Sequence, residues 1–381
     1  MRIKNSRLLV FKVLLLLAML IVVGVVTPGC YGRSQPKGWS GVTVANDALF
    51  VGSLDGRLVA LNKSDGSYLW PADAILGASE SKVAIYGTPV AEGDLVYIGG
   101  YDGKVYAFDA ESGALRWMYP RSGNLEPIVG DLAVFQGKVY FGSNDGRVYT
   151  LDAATGDRVW PPFETGDKIW STPATNGETI YITSFDRKLY ALDVATGRKR
   201  WEFKAGGALI STPLIYGDTV YIGACDRYVY AVDAADGSLR WRSEVEAGKW
   251  FWAKPVVYDD TIYAPNLDGK VYILDAKSGR EVASAVDLKS PISSSPVMVD
   301  GRVIIASQEG KVYSLDTSSN QVSLPIFDVK EWDDGQEVYA PLGAGDGVIY
   351  IHARTSKQDT IYAVDIQAGG TLWPPLSLST K

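Results

Sequence analysis

The sequence predicts an all-β protein, an eight-bladed β-propeller of four-stranded antiparallel blades. Three observations carry that expectation: a ten-residue phrase that returns eight times, turn signals set between short apolar runs, and no stretch with helical periodicity between the copies. The phrase is "LDAATGDRVW" at 151–160, and its kin end at Trp70, Trp117, Trp160, Trp201, Trp241 and Trp373. Two degenerate copies, "LDAKSGREVA" and "LDTSSNQVSL", end at Ala283 and Leu324. A period of roughly forty to fifty residues marks a repeat fold, whose units bury their faces only against one another.

Within one period, residues 89–117 read "PVAEGDLVYIGGYDGKVYAFDAESGALRW". Runs rich in Val, Tyr and Ile are separated by "EGD", "YDG" and "ESG", which makes four short strands and three tight turns. The runs "LVYIGG" and "KVYAF" are apolar on both faces, as a sheet covered on both sides requires. Four-stranded sheets set radially, each between two neighbours, provide that cover and leave no long exposed edge.

The recurring acid of the phrase is Asp109, Asp152, Asp193, Asp233, Asp275, Asp316 and Asp365, with Asn62 in the first copy. It opens the turn between the third and fourth strands, where its side chain can accept from backbone N–H groups two or three residues on. The Gly four positions later supplies positive φ, and Asn320 replaces it once. A ring of like carboxylates is therefore read as eight turns, not as acid–base or metal chemistry. The Trp then lies against the neighbouring blade. Trp70, Trp117, Trp160, Trp201, Trp241 and Trp373 are expected to be buried in equivalent environments, with blades six and seven the weak sector of the ring.

Two Cys and one His in 381 residues exclude a Cys/His zinc site, a Cys-x-x-Cys redox motif and covalent c-type haem attachment. The first 29 residues carry Arg2, Lys4, Arg7 and Lys12 and no acid; the remainder holds 33 basic against 44 acidic residues. So acidic a body has no footprint for nucleic acid. The apolar run from Val13 to Val26 ends at Gly29-Cys30 and reads as a signal-peptide core. Residues 1–30 are expected to be a lipoprotein-like signal peptide or membrane anchor, 31–38 a flexible tether, and 39–381 the propeller. The opening segment resembles a bacterial lipoprotein signal, which implies lipidation at Cys30, although Thr27 and Pro28 depart from that pattern. The expected location is extracytoplasmic and membrane-anchored, periplasmic or at the cell surface. Cys225, in "VYIGACDR", is read as a small buried hydrophobe.

The motif Ala-x-Asp-x-x-Thr-Gly-x-x-x-Trp resembles the tryptophan-docking motif of the PQQ-type propellers, over residues 39–381. That family includes quinoprotein dehydrogenases and an assembly lipoprotein of the outer membrane. The dehydrogenase pattern implies a disulfide between adjacent Cys residues, a calcium ion with carboxylate and amide ligands, a catalytic Asp and long walls around the cofactor. This chain has no Cys-Cys pair, and its repeats run close to minimum length. His352 stands alone and is read as solvated, near a hairpin. No catalytic residue, metal ligand or cofactor is expected.

A binding surface is left. Three positions before the Pro of "YGTP", "WSTP", "ISTP" and "WAKP", the ring of blades carries Trp39, Tyr86, Val129, Trp170, Ile210, Trp252, Ser293 and Val338. Half-exposed aromatics on one face suit a binding mouth. The expected contacts are Trp39, Tyr86, Trp170, Trp252 and Lys254, with 325–338 beside them. Basic hairpins at Arg57, Lys104, Arg147, Lys188, Lys270 and Lys311 share that face, and "GKWFW" at 248–252 and Trp332 lie in connections, where recognition residues concentrate. The function expected is a monomeric, membrane-anchored, non-catalytic scaffold for a protein partner at the membrane. The alternatives are a PQQ-dependent dehydrogenase-like protein and an extracytoplasmic ligand receptor.

Overall fold

Runs rich in Val, Tyr and Ile, each ended by a Gly-containing turn, fold as hairpins. The structure, a computed structural model, describes residues 38–71, 74–77 and 83–378. These form eight antiparallel sheets of four strands, the seventh carrying its outer strand in two pieces. In blade two, Val90–Glu92, Leu95–Gly99, Val105–Asp109 and Leu115–Tyr119 pair in chain order. The blades occupy 42–75, 90–119, 133–164, 174–204, 214–242, 256–287, 297–328 and 343–377. Eight apolar clusters, each drawn from two adjacent blades, join them, and the last unites blade eight with blade one. The chain is thus the expected eight-bladed propeller. Residues 1–37, which hold the signal-like stretch and Cys30, lie outside the described residues. Among those described, no helix is long and apolar enough to cross a membrane.

The repeated phrase builds the contact between blades. In all eight copies the Asp or Asn side chain accepts from backbone N–H groups two or three residues on. The six Trp side chains are at most 9 % exposed. Each lies on the turn of the following blade: Trp70 on Gly113, Trp117 on Gly156, Trp160 on Gly197, Trp201 on Gly237, Trp241 on Gly279, and Trp373 on Gly66. A Cβ on these glycines would come within 2.4 to 3.0 Å of the indole. Gly is therefore needed twice over, for its positive φ and for the flat surface it offers. The indole N–H groups of Trp70, Trp117, Trp201, Trp241 and Trp373 donate to the carbonyls of Ala110, Ala153, Ala234, Ala276 and Lys63 in those turns. Beneath three of the indoles the cross-strand partner is small: Ala107, Ala191 and Ala231.

Two blades depart from this plan, and the departure of blade six is matched by a change in the residues it meets. Blade six has Ala283 where Trp is expected, and opposite it stands Ile273 in place of Ala. With no indole arriving, the next turn has no need of a flat residue. It carries Asn320, whose Oδ1 accepts from Tyr263 of blade six at 3.0 Å. Blade seven has Leu324, which is 87 % exposed and docks nowhere. Pro71, Pro161 and Pro374 follow Trp70, Trp160 and Trp373 directly, and a proline cannot donate to a strand ladder. In those blades the outer strand resumes only at Ala74–Ile75, Phe163–Glu164 and Leu376–Ser377.

The ring closes without a shared blade, because the first strand, Val42–Ala45, pairs within blade one. A buried polar seam reinforces the closure. The long hairpin of blade eight, Val348–Arg354 with Asp359–Asp365, places His352 in a strand and buries it, so it is not the solvated residue expected. His352 Nδ1 lies 2.6 Å from the carbonyl of Ser40, and its Nε2 is 3.5 Å from the Asp359 carboxylate. Asp359 also accepts from the Leu54 N–H at 2.8 Å, and Arg57 donates to the Leu378 carbonyl. Gly38, at the expected end of the tether, is already buried against the Ile85 backbone.

Two outcomes follow from this packing. Gly156→Ala should destabilise the protein by more than 1 kcal/mol, because it adds a strained φ to a clash with Trp117. In a Trp117→Ala background the same change should cost less, and thermal denaturation of the four proteins measures that coupling. Hydrogen exchange should be faster in blades six and seven than around the rest of the ring, since neither Ala283 nor Leu324 supplies a docking indole. Equal protection throughout would contradict that.

Candidate functional site

The chain enters each blade at its innermost strand, and the residues just before that strand line one end of the central channel. Trp39, Tyr86, Val129, Trp170, Ile210, Trp252 and Ser293 meet there around a cavity of about 90 Å³, room for a few waters. Blade eight contributes Tyr339 in place of Val338, which is buried between blades seven and eight. Here the strand begins at Gly343, two residues after the Pro and not one, which shifts the register by one.

The aromatics form two groups. On one side Trp39 meets Tyr86 edge-on at 4.5 Å and Tyr339 at 5.9 Å, and Tyr86 meets Tyr101 at 5.3 Å. The Arg354 guanidinium lies over Trp39 and Tyr339 at 5.6 and 5.0 Å. On the other, Trp170 packs on Phe185 at 4.8 Å and on Trp252 at 5.9 Å, with the Lys168 ammonium over Trp170 and Phe185. Trp170 is anchored by its N–H to Asn144 Oδ1 at 2.7 Å. Burial and a hydrogen bond to Glu337 push the Tyr339 hydroxyl up to about 12.

Two residues further on, the position before the recurring Pro follows its own rule. The backbone N–H of Thr88 donates to Asp131, that of Thr172 to Thr212, and that of Lys254 to Ser295. Each inward N–H is thus satisfied by a side-chain oxygen of the next blade, which accounts for the Thr, Ser and Asp there. Asp131 and Lys254 are the charged members. Burial raises the Asp131 carboxyl above its ordinary value, against hydrogen bonds from Thr88 and Thr172 and the charge of Lys254. Burial likewise lowers the Lys254 ammonium, which Asp131 opposes. Lys254 keeps its side chain open to the channel.

The structure therefore brings Trp39, Tyr86, Trp170, Trp252 and Lys254 to one mouth. Tyr101, Phe185, Lys168, Arg354, Tyr339 and Asp131 complete it and were missed. Tyr101 and Phe185 had a readable signal, since both directly precede the Asp of the hairpin between the second and third strands. The other residues singled out lie elsewhere. Arg57, Arg147, Lys188 and Lys311 pair with Asp55, Glu164, Glu202 and Glu309 and do not line the cavity. The hairpin acids Asp102, Asp145, Asp186, Asp226 and Asp268 accept from the Tyr hydroxyl four residues on. Of "GKWFW", Phe251 is buried and Trp250 half-exposed outside the cavity, while Trp332 lies at an outer groove. Cys225 is partly buried, and burial pushes its thiol up to about 11, far from a reactive thiolate. Among the described residues no group of three His, Cys, Asp or Glu side chains is placed to hold a metal ion. A cavity of about 90 Å³ whose lining holds one carboxylate, Asp131, does not fit a quinone cofactor with calcium.

The paired charges generate a test. A folded value above the unfolded one means that Asp131 costs stability above that folded value and less as pH falls through it. At neutral pH, Asp131→Asn should not lower the melting temperature, since Asn keeps the acceptor for Thr88. Lys254→Met alone should lower it by leaving Asp131 unopposed, and the double variant should recover most of the loss. Thermal denaturation of the set measures this.

Comparison with known proteins places the fold in company. A computationally designed protein, Ika8, superposes with a TM-score of 0.72 at 17 % identity, covering 86 % of this chain and 96 % of its own. BamB from Moraxella catarrhalis superposes with a TM-score of 0.67 at 22 % identity, covering 83 % and 91 %. No curated protein sequence matches the chain. The family model described as "Outer membrane protein assembly factor BamB" matches residues 31–162 and 162–374. With nearly the whole propeller accounted for by that model, this chain belongs to the BamB-like family of PQQ-type propellers.

Proposed function

We propose that the protein is a membrane-anchored, extracytoplasmic scaffold that binds a protein partner through the mouth and catalyses nothing itself. One observation carries the reading: two aromatic groups, each with a cation stacked on it, are presented together at the end of a rigid ring. Aromatic and Arg side chains in a concave setting are the usual anchors of protein recognition. Lys168, Lys254 and Arg354 give an acidic body a basic mouth, which favours a partner segment with carboxylates beside its apolar residues. Lipidation at Cys30 would tether the ring. In a cell with an outer membrane, the family's description suggests that the partner belongs to outer-membrane-protein assembly.

The recurring carboxylates support the absence of catalysis, because backbone N–H groups and Tyr hydroxyls already occupy them. General acid–base work requires a carboxylate facing substrate. A Trp170→Ala, Trp252→Ala protein should remain folded and lose its partner in pull-downs from membranes of the native organism. Retention of the partner would move the site elsewhere, and dye-linked alcohol or sugar oxidation after addition of PQQ and calcium would overturn the reading.

A further inference from the structure

A second site lies at the outer edge of the ring, away from the mouth. In six blades the Asp-x-x-x-Gly turn, with Asn62 for Asp in blade one, is covered by the indole of the preceding blade. Blade eight keeps that turn, Asp365 to Gly369, with its side-chain-capped N–H groups and positive φ at Gly369. The preceding blade offers no indole, because Leu324 stands there and turns outward. Among the described residues, a Cβ on Gly369 would meet one atom within 4 Å, the Ile326 carbonyl oxygen at 3.6 Å, and one on Gly370 would meet none. Over this turn runs a groove of about 520 Å³, floored by Gly369, Gly370 and Ile326 and flanked by Leu324 and Trp332. The contrast with blade seven is informative. There the indole is also missing, but Asn320 and Tyr263 have closed the turn together. In blade eight nothing comparable has replaced it.

We propose that this groove is a tryptophan dock left vacant in the chain and filled in trans by a partner polypeptide that presents a Trp side chain. Six copies of the same turn in this chain hold an indole, five with a hydrogen bond to the turn carbonyl. The corresponding carbonyl in blade eight belongs to Ile366. The lining carries Asp328 and Glu331 against one cation, Lys311, which already pairs with Glu309 at 3.0 Å, so a Lys or Arg beside the partner's Trp is complementary. The exposed Leu324 and half-exposed Trp332 would pack along the incoming segment. The proposal does not rest on the mouth, and either site can fail without the other.

The test uses the full chain in detergent and a fluorescein-labelled peptide, Gly-Lys-Ser-Trp-Ser-Lys-Gly, with its Ala twin in place of Trp. Anisotropy should show the Trp peptide binding about tenfold or more tightly than the twin. Leu324→Trp supplies the indole in cis; it should raise the melting temperature and weaken the peptide by a similar factor. Gly370→Phe, at a position with open space, should block the groove without docking. The Trp170→Ala, Trp252→Ala protein should bind the peptide as the wild type does. Equal binding of the two peptides, no binding at millimolar concentration, or undiminished binding by both groove variants would overturn the proposal. Sedimentation covers one further occupant: a wild-type dimer that Leu324→Trp returns to monomer would mean that a second copy fills the dock, which also overturns it.

Discussion

Everything in this ring hangs on an indole lying flat against the turn of the next blade. The Asp-capped turn is rigid because its own side chain satisfies its N–H groups, and the Gly removes the one atom that would hold the indole off. A buried Trp is worth about 3–5 kcal/mol when truncated to Ala, and here the contact recurs around most of the circle. The four strands of a blade are short and apolar on both faces, so no blade is stable without neighbours. The repeated contact sets their spacing and hand, and thereby where the inner strands begin.

That spacing makes the mouth possible. Residues that are scattered through the sequence, from Trp39 to Tyr339, meet because each occupies the same station in its blade. The frame absorbs the recurring residues: acids into turns, tyrosines onto hairpin carboxylates, tryptophans between blades. The stations around the channel are free to differ, and there the chain places its aromatics, its stacked cations and one opposed pair of charges. Variation at a fixed station is the mark of the candidate site, as repetition is of the frame.

Blade number, strand count and the docking tryptophans were legible because they recur, and period is the strongest signal a sequence carries. The first ring of the mouth was legible for the same reason, through the recurring Pro. Tyr339 was not, since the strand there starts two residues after Pro341 and only packing says which residue turns inward. His352 is buried where a solvated residue was expected because the sequence shows a hairpin but not where its strands end; the ladder from Val348–Arg354 to Asp359–Asp365 carries it inside the strand. The basic hairpins misled in a different way. Their position on the face was right, but nothing local in the sequence reveals that acids on neighbouring strands hold several of them away from the axis.

The seam between blade eight and blade one joins residues more than three hundred positions apart, such as Leu54 and Asp359. Closing a span of that length instead of one near forty adds only about 2 kcal/mol of chain entropy, because the cost grows with the logarithm of length. One apolar interface and a few polar contacts offset it. Since every blade is made from its own continuous stretch, which blade is written first is immaterial to the circle they form. New termini opened between any two blades, with the present ends spliced, would describe the same molecule: the chain has a beginning, but the propeller does not.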